Sequence, residues 1–333
     1  MREDTPGLVR KGINYDTGTN YSENGLSRKE ASGDLIRRHM SVIRNDLNCT
    51  SVSLFGTDIG RLTETAVAAL DLGLHVSLQP RLIEAAPDAM LEHLAAAAAA
   101  AEELRQRYGR VALIIGCELT VFGSGIIPGD THADRSAKLA DPEWWPRFPE
   151  FNEQLNDLLG RAREVARARF GGELTYGAGL WEDVDWDGFD LVGLNYYRMA
   201  YNDADYAAGL RRFHRHGKPV VITEFGCCSF DGAAAMGPAG YGIIDWSADP
   251  PRLAGSFTRN EQVQADYLAQ QLELFAAEKV HGAYVFEFIA PKPHSADPRH
   301  DLDMASFGVV KAVGDGWEPK AAFHELARFY GSH

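Results

Sequence analysis

One pattern recurs along this chain of 333 residues: a short apolar run, a loop, then a longer amphipathic segment. Apolar runs bounded by turn residues read as buried strands, and apolar spacing near 3.6 residues reads as helix. The strands expected on this basis cover 8–14, 50–55, 74–79, 111–118, 173–178, 191–195, 220–224 and 283–288. Helical periodicity covers 34–46, 57–72, 87–108, 150–170, 203–216, 258–279 and 319–330. The 181–190 link has room for only a helical turn. Strand and helix alternating without a break imply a parallel sheet. Eight repeats predict an α/β fold, a closed (β/α)8 TIM barrel with long βα loops at its C-terminal face. No Pro-, Ser- or Gly-rich linker divides the chain, so residues 1–333 are expected to form a single barrel domain.

An open doubly wound sheet is the alternative, and it usually carries a glycine-rich first turn for a nucleotide. The first strand here instead ends Gly12-Ile-Asn-Tyr-Asp-Thr-Gly18, and Gly123-Ser-Gly-Ile-Ile-Pro-Gly129 has the wrong spacing. Loop lengths favour the barrel too. Segments leaving strand C-termini are long (120–148, 226–257, 290–318), while the helix-to-strand returns at 108–110 and 216–219 are tight. Long loops gathered on one face are where a barrel builds its site. Locally, Thr258-Arg-Asn-Glu261 reads as a capping box and Pro319 as a first-turn residue of the last helix. The alanine run 95–101 reads as a small-residue packing face.

Charge narrows the partners. With 33 basic against 47 acidic residues the net charge is −14, which argues against nucleic acid and against an anionic membrane surface. No run approaches the ~20 apolar residues of a membrane helix. Residues 1–7 lack the apolar core of a secretory signal. Cys49, Cys117, Cys227 and Cys228 are too scattered for a disulfide framework or a zinc finger, so reduced thiols in a cytoplasmic protein are expected.

Chemically odd residues end the strands. The fourth ends Ile115-Gly-Cys-Glu118, the seventh Val221-Ile-Thr-Glu224, and the eighth carries Phe286-Glu-Phe288. A glutamate closing an apolar run must be paired, solvated at a mouth, or catalytic, because burying a lone carboxylate is costly. The fourth and seventh strands lie roughly across a barrel from each other, so Glu118 and Glu224 should converge over its mouth. Two convergent carboxylates are the minimal equipment for glycoside hydrolysis. A ~5 Å separation makes one the nucleophile, whereas ~6.5–9.5 Å leaves room for a water and inverts.

These residues resemble a family. Val220-Val-Ile-Thr-Glu-Phe-Gly226 is similar to the nucleophile strand of the clan A glycoside hydrolases, retaining (β/α)8 enzymes with glutamates on strands 4 and 7. Phe189-Asp-Leu-Val-Gly-Leu-Asn-Tyr-Tyr197 resembles strand 6 of the family 1 β-glycosidases in that clan. The resemblance implies Glu224 as nucleophile, Glu118 as acid/base, and a hydrogen bond from Tyr197 to Glu224. Period-two alternation puts Gly193, Asn195 and Tyr197 on one face. The chain departs from the family at three points. Cys117 stands where an asparagine normally precedes the acid/base and contacts the sugar 2-hydroxyl. Ser51-Val-Ser-Leu-Phe-Gly56 lacks the arginine that usually ends strand 2, and Phe286-Glu-Phe288 replaces the usual strand 8 tryptophan. The whole chain, including His300-Asp-Leu-Asp-Met-Ala-Ser-Phe-Gly308, also resembles poorly characterised actinobacterial barrel proteins that carry an abortive infection label.

The expected substrate contacts are Tyr197, Asn195, Asn14, Asp16, Glu287, Trp181 and His300. Asn14 and Asp16 are equally default turn formers, and Glu287 by alternation could point outward to a helix. Trp144, Trp145 and Trp181 offer flat faces to a sugar or simply cover the barrel top. The run His294-Ser-Ala-Asp-Pro-Arg-His300-Asp-Leu-Asp303 is rich in imidazole and carboxylate but lacks helix-borne pairing. It is expected to be a charged loop with Arg299 paired to Asp301 or Asp303. No metal and no cofactor are expected. Three readings remain open: a retaining glycosidase on a glycoside or oligosaccharide; a carboxylate-driven hydrolase, lyase or cyclase on a small metabolite; and a non-catalytic ligand-binding or phage-defence protein on the same barrel.

Overall fold

The computed structural model describes residues 8–21, 25–29, 32–314 and 316–332; the opening segment read above for a leader lies outside them. Eight parallel strands form one sheet: β1 (Arg10–Asp16), β2 (Ser51–Gly56), β3 (His75–Pro80), β4 (Val111–Cys117), β5 (Glu173–Gly177), β6 (Val192–Asn195), β7 (Val220–Phe225) and β8 (Gly282–Val285). Their order is β5-β4-β3-β2-β1-β8-β7-β6. The two edge strands are joined by a bridge between Ala178 and Leu194. Ala178 N donates to Gly193 O at 3.1 Å, and Asn195 N to Ala178 O at 2.8 Å. The result is a nearly closed (β/α)8 barrel.

Every residue of β2, β4 and β7 is buried, which is why these strands read as unbroken apolar runs rather than alternating ones. Around them stand α1 (Gly33–Asn45), α2 (Ile59–Asp71), α3 (Pro87–Tyr108), α4 (Phe148–Arg167), α5 (Tyr206–Arg211), α6 (Glu261–Ala277) and α7 (Ala321–Ser332). The α3 helix begins at proline and stops at Gly109, whose φ of 77° is the left-handed exit that glycine adopts cheaply. Its Ala97, Ala98 and Ala101 are buried, and the small face lets α3 pack on β4 and α4. Among the described residues no helix is long and apolar enough to cross a membrane.

Several boundaries differ from expectation. The capping box at 258–261 does not form. Arg259 is drawn into an extended bridge with Phe230, so α6 starts at Glu261 and the Asn260 side chain accepts from Gln262 N at 3.1 Å. Pro319 ends a short strand, Gly316–Pro319, paired with Val310–Val313, and α7 starts after it. The 203–216 segment breaks into 3-10 turns on either side of α5. The β8 strand stops at Val285, and the chain enters a separate short strand at Ile289–Pro293.

The barrel seam has no room for a side chain. A Cβ on Gly193 would lie 2.2 Å from Tyr176 O and 2.6 Å from Thr175 Oγ1. Gly193→Ala must therefore push β5 and β6 apart, at an expected cost of about 1–3 kcal/mol. Denaturant unfolding measures this, and an unchanged midpoint would mean that the seam relaxes freely.

Candidate active site

At the end of β4 the chain turns sharply. Glu118 has φ 44° and ψ 48°, a left-handed conformation uncommon for any residue but glycine, and a four-residue helix, Leu119–Phe122, follows. The neighbours hold it there. Tyr176 Oη accepts from Leu119 N at 2.7 Å and donates to Glu182 Oε2 at 2.9 Å. Glu182 also accepts from Thr120 N at 3.2 Å, Thr120 Oγ1 at 2.6 Å and Gly179 N at 3.0 Å. Trp181 Nε1 donates to Thr120 Oγ1 at 2.9 Å. An unfavourable backbone state persists only where its surroundings over-determine it, and here they converge on the residues after Glu118.

The structure brings Glu118 and Glu224 to one network. Asn195 Nδ2 donates to Glu118 Oε1 at 2.8 Å and lies 3.3 Å from Cys117 Sγ. Cys117 Sγ is in turn 3.5 Å from Glu224 Oε1. Tyr197 Oη donates to Glu224 Oε2 at 3.2 Å, and the Arg81 guanidinium forms an ion pair with Oε1. Arg81 follows β3, donates through Nε to Gln79 Oε1 at 2.6 Å, and lies 4.1 Å over the Phe55 ring. The cation that strand 2 lacks thus arrives from strand 3, braced on the aromatic that ends strand 2. Phe286 stacks on Phe55, the ring centres 5.6 Å apart.

The two carboxyls differ in their surroundings. Burial, and then the nearby Glu224 charge, push the Glu118 carboxyl up to about 8, so it holds its proton at neutral pH. Glu224 instead has a guanidinium and a phenol directed at it. Burial drives the Cys117 thiol well above its ordinary range, so it is no thiolate. One carboxyl that can give a proton, in the same network as one that meets a guanidinium and a phenol, offers the two different carboxyl environments that acid and nucleophile require.

The remaining candidates fall in different places. Asn14 is fully buried, and its amide donates to Thr223 O at 2.9 Å and Tyr284 O at 3.3 Å, tying β1 to β7 and β8. Asp16 Oδ1 accepts from Gly18 N at 2.8 Å and Thr19 Oγ1 at 3.3 Å, a turn role. Asn195 also commits its Oδ1, to Thr223 Oγ1 at 2.8 Å. Glu287 is buried. His300 stands apart, paired with Asp297 at 2.7 Å on an exposed turn. Arg299 does not pair with Asp301 or Asp303; Arg259 takes both, at 2.9 and 2.8 Å, because the Phe230 bridge carries it alongside them. Among the described residues no group of His, Cys, Asp and Glu could hold a metal ion.

No protein-family model and no curated protein matches the sequence. Solved structures do match. A calcium-binding mutant of Bacteroides uniformis β-glucuronidase 2 superimposes with a TM-score of 0.59 at 16% identity, over 98% of this chain and 34% of that one, so this chain spans about a third of its length. The β-glucosidase 1317 gives 0.56 at 10% identity, over 97% and 98%. Cel5A of Thermotoga maritima, solved with mannotriose, gives 0.53 at 14% identity, over 96% and 97%. The chain shares its barrel fold with glycosidases.

Sequence reasoning missed Arg81 and Glu182. Arg81 had a signal, being a cation directly after Gln79-Pro80 at a strand C-terminus. Glu182 had none, since it lies in the short link between β5 and β6 where no periodicity marks a role.

Proposed function

We propose that this protein is a retaining glycoside hydrolase acting on a glycoside or oligosaccharide. The observation that carries the reading is the contrast between the carboxyls: Glu118 protonated by burial and by Glu224, Glu224 held by Arg81 and Tyr197. Glu224 attacks the anomeric carbon as Glu118 gives its proton to the departing oxygen, breaking the glycosidic bond and forming a glycosyl ester. Glu118, now ionised, takes a proton from water, which attacks the same carbon and releases Glu224. Two displacements on one carbon return the starting configuration. Arg81 and Tyr197 place Glu224, while Asn195 places Glu118.

Proton NMR of the first-formed sugar, released from a panel of aryl glycosides, tests this directly. Retained configuration is expected. Inverted product, or no turnover across a broad panel, sinks the reading.

A pH prediction follows from the raised Glu118 carboxyl. An acid of ordinary pKa would lose its proton above ~4.5. Here the protonated form persists until about 8, so kcat/KM should hold through neutrality and fall as pH rises through that value. The basic limb should be steep for substrates with poor leaving groups and weak for dinitrophenyl glycosides, whose leaving group needs no proton. A limb that is identical for both would remove Glu118 from the acid role.

A further inference from the structure

Glu182 lies between β5 and β6, is 8% exposed, and takes no part in the steps above. Its carboxyl nonetheless meets donors on both oxygens. Oε1 accepts from Thr120 N at 3.2 Å, Thr120 Oγ1 at 2.6 Å and Tyr176 Oη at 3.0 Å. Oε2 accepts from Tyr176 Oη at 2.9 Å and Gly179 N at 3.0 Å. Each of the two hydroxyls accepts from a third group, Thr120 from Trp181 Nε1 at 2.9 Å and Tyr176 from Leu119 N at 2.7 Å, which leaves its proton for Glu182. Such a surround suits an ionised carboxylate. An amide of the same shape would set donor against donor on one side. Burial pushes this carboxyl above its ordinary range, and the bonds from Thr120, Gly179 and Tyr176 oppose that push.

The donors are concentrated on one turn. Leu119 and Thr120 directly follow Glu118 and open the short helix 119–122. The far half of that helix is tied separately: Arg135 Nε donates to Val121 O at 2.6 Å, and Glu84 N to Phe122 O at 2.9 Å. Glu118 itself, at φ 44°, donates through N to Gly177 O at 3.0 Å. Its left-handed backbone sets where its carboxyl points, and the half of the helix nearest to it is the half that Glu182 and Tyr176 hold.

We propose that Glu182 is a positioning residue for the acid/base: through Thr120 and Tyr176 it fixes the turn that aims the Glu118 proton at the departing oxygen. The proposal rests on the glycosidase reading for the reaction that it serves. Glu182 acts through the turn, not on the sugar, so its loss should be felt where a proton must be delivered. A misplacement of ~1 Å is enough to cost about 10²-fold in rate. A brace that merely held the 178–191 link would affect every substrate alike.

Glu182→Gln, which keeps the shape and removes the charge, tests this by kcat/KM, which reports the first displacement. Measured per folded molecule by circular dichroism, phenyl glycosides should lose about 30-fold or more, the scale of a mispositioned general acid. Dinitrophenyl glycosides, which need no proton, should lose less than about threefold. Tyr176→Phe should show the same split, and the double variant should lose no more than the worse single one, as for groups that act as a unit. Equal losses for both substrates, or losses that multiply in the double variant, overturn the proposal. A second readout needs no turnover. Burial and Glu224 dominate the raised Glu118 carboxyl, Glu182 adds to them, and Asn195 and Arg81 oppose them. Titrated by carbon-13 NMR and assigned by its loss in Glu118→Gln, that carboxyl should therefore ionise at lower pH in Glu182→Gln than in the wild type. An unchanged midpoint overturns the proposal. A lowered midpoint in a protein that turns over no glycoside would remove the hydrolase reading and leave Glu182 acting on Glu118. Turnover that falls alike for both substrates would do the reverse.

Discussion

Glu224→Gln should lower turnover of an activated aryl glycoside by about 10⁴-fold or more. The amide has no charge to form the glycosyl ester, so the first displacement fails whatever the leaving group. The variant should also be less stable. Arg81 is 5% exposed at the side chain, and an amide leaves its guanidinium buried without a counter-charge, a cost of a few kcal/mol. Activity is therefore to be read per folded molecule, with circular dichroism fixing the folded fraction. Glu224→Ala gives a test that loss of folding cannot imitate. Azide added to that variant fits the space left by the carboxylate and attacks the anomeric carbon from the same side. It should restore turnover of a dinitrophenyl glycoside and yield a glycosyl azide of configuration opposite to the substrate. Glu224→Gln retaining a tenth of wild-type turnover, or Glu224→Ala that is folded by circular dichroism yet unresponsive to azide, would place the nucleophile elsewhere.

Glu224 was legible because it breaks an apolar run at its C-terminal end, and strand periodicity put Tyr197 on a face that can reach it. Eight apolar runs likewise made the barrel legible, since parallel strands covered by helices need no polar face. What the pattern did not give were several particular contacts between distant segments. Arg81 and Glu224 are 143 residues apart, and the place of Arg81 at a strand C-terminus does not say which carboxylate it meets. Nor could local pattern show that the Asn14 amide nitrogen spans to carbonyls of β7 and β8, a geometry that exists only once the barrel closes. Thr258-Arg-Asn-Glu261 had the letters of a capping box, yet a tertiary bridge to Phe230 overrode the local preference. Within that box Arg259 was a mere spacer, whereas in the fold it is the centre of a charge cluster.

Arg259→Met should therefore cost roughly 3–5 kcal/mol, the scale of breaking a buried pair. The guanidinium meets Glu261 at 2.7 Å, Asp301 at 2.9 Å and Asp303 at 2.8 Å, and both aspartates are almost fully buried. Lys320 Nζ lies 2.9 Å from Asp303, so Asp303 keeps one cation in the variant, but Asp301 keeps only His294 at 2.9 Å and Ser295 N at 3.2 Å. The cluster also ties two helices together, because Glu261 Oε2 accepts Ala321 N at 3.0 Å and caps α7. The melting temperature should fall by about 5 °C or more. Arg259→Lys should recover only part of this, since an ammonium is a point donor where a planar fork spans three carboxylates. High salt should not mimic the effect, because screening reaches buried pairs weakly. Arg299→Met, on the exposed side chain that the sequence had favoured for this pairing, should leave the melting temperature unchanged. If it matched Arg259→Met instead, the destabilisation would belong to loop charge in general and not to the buried cluster.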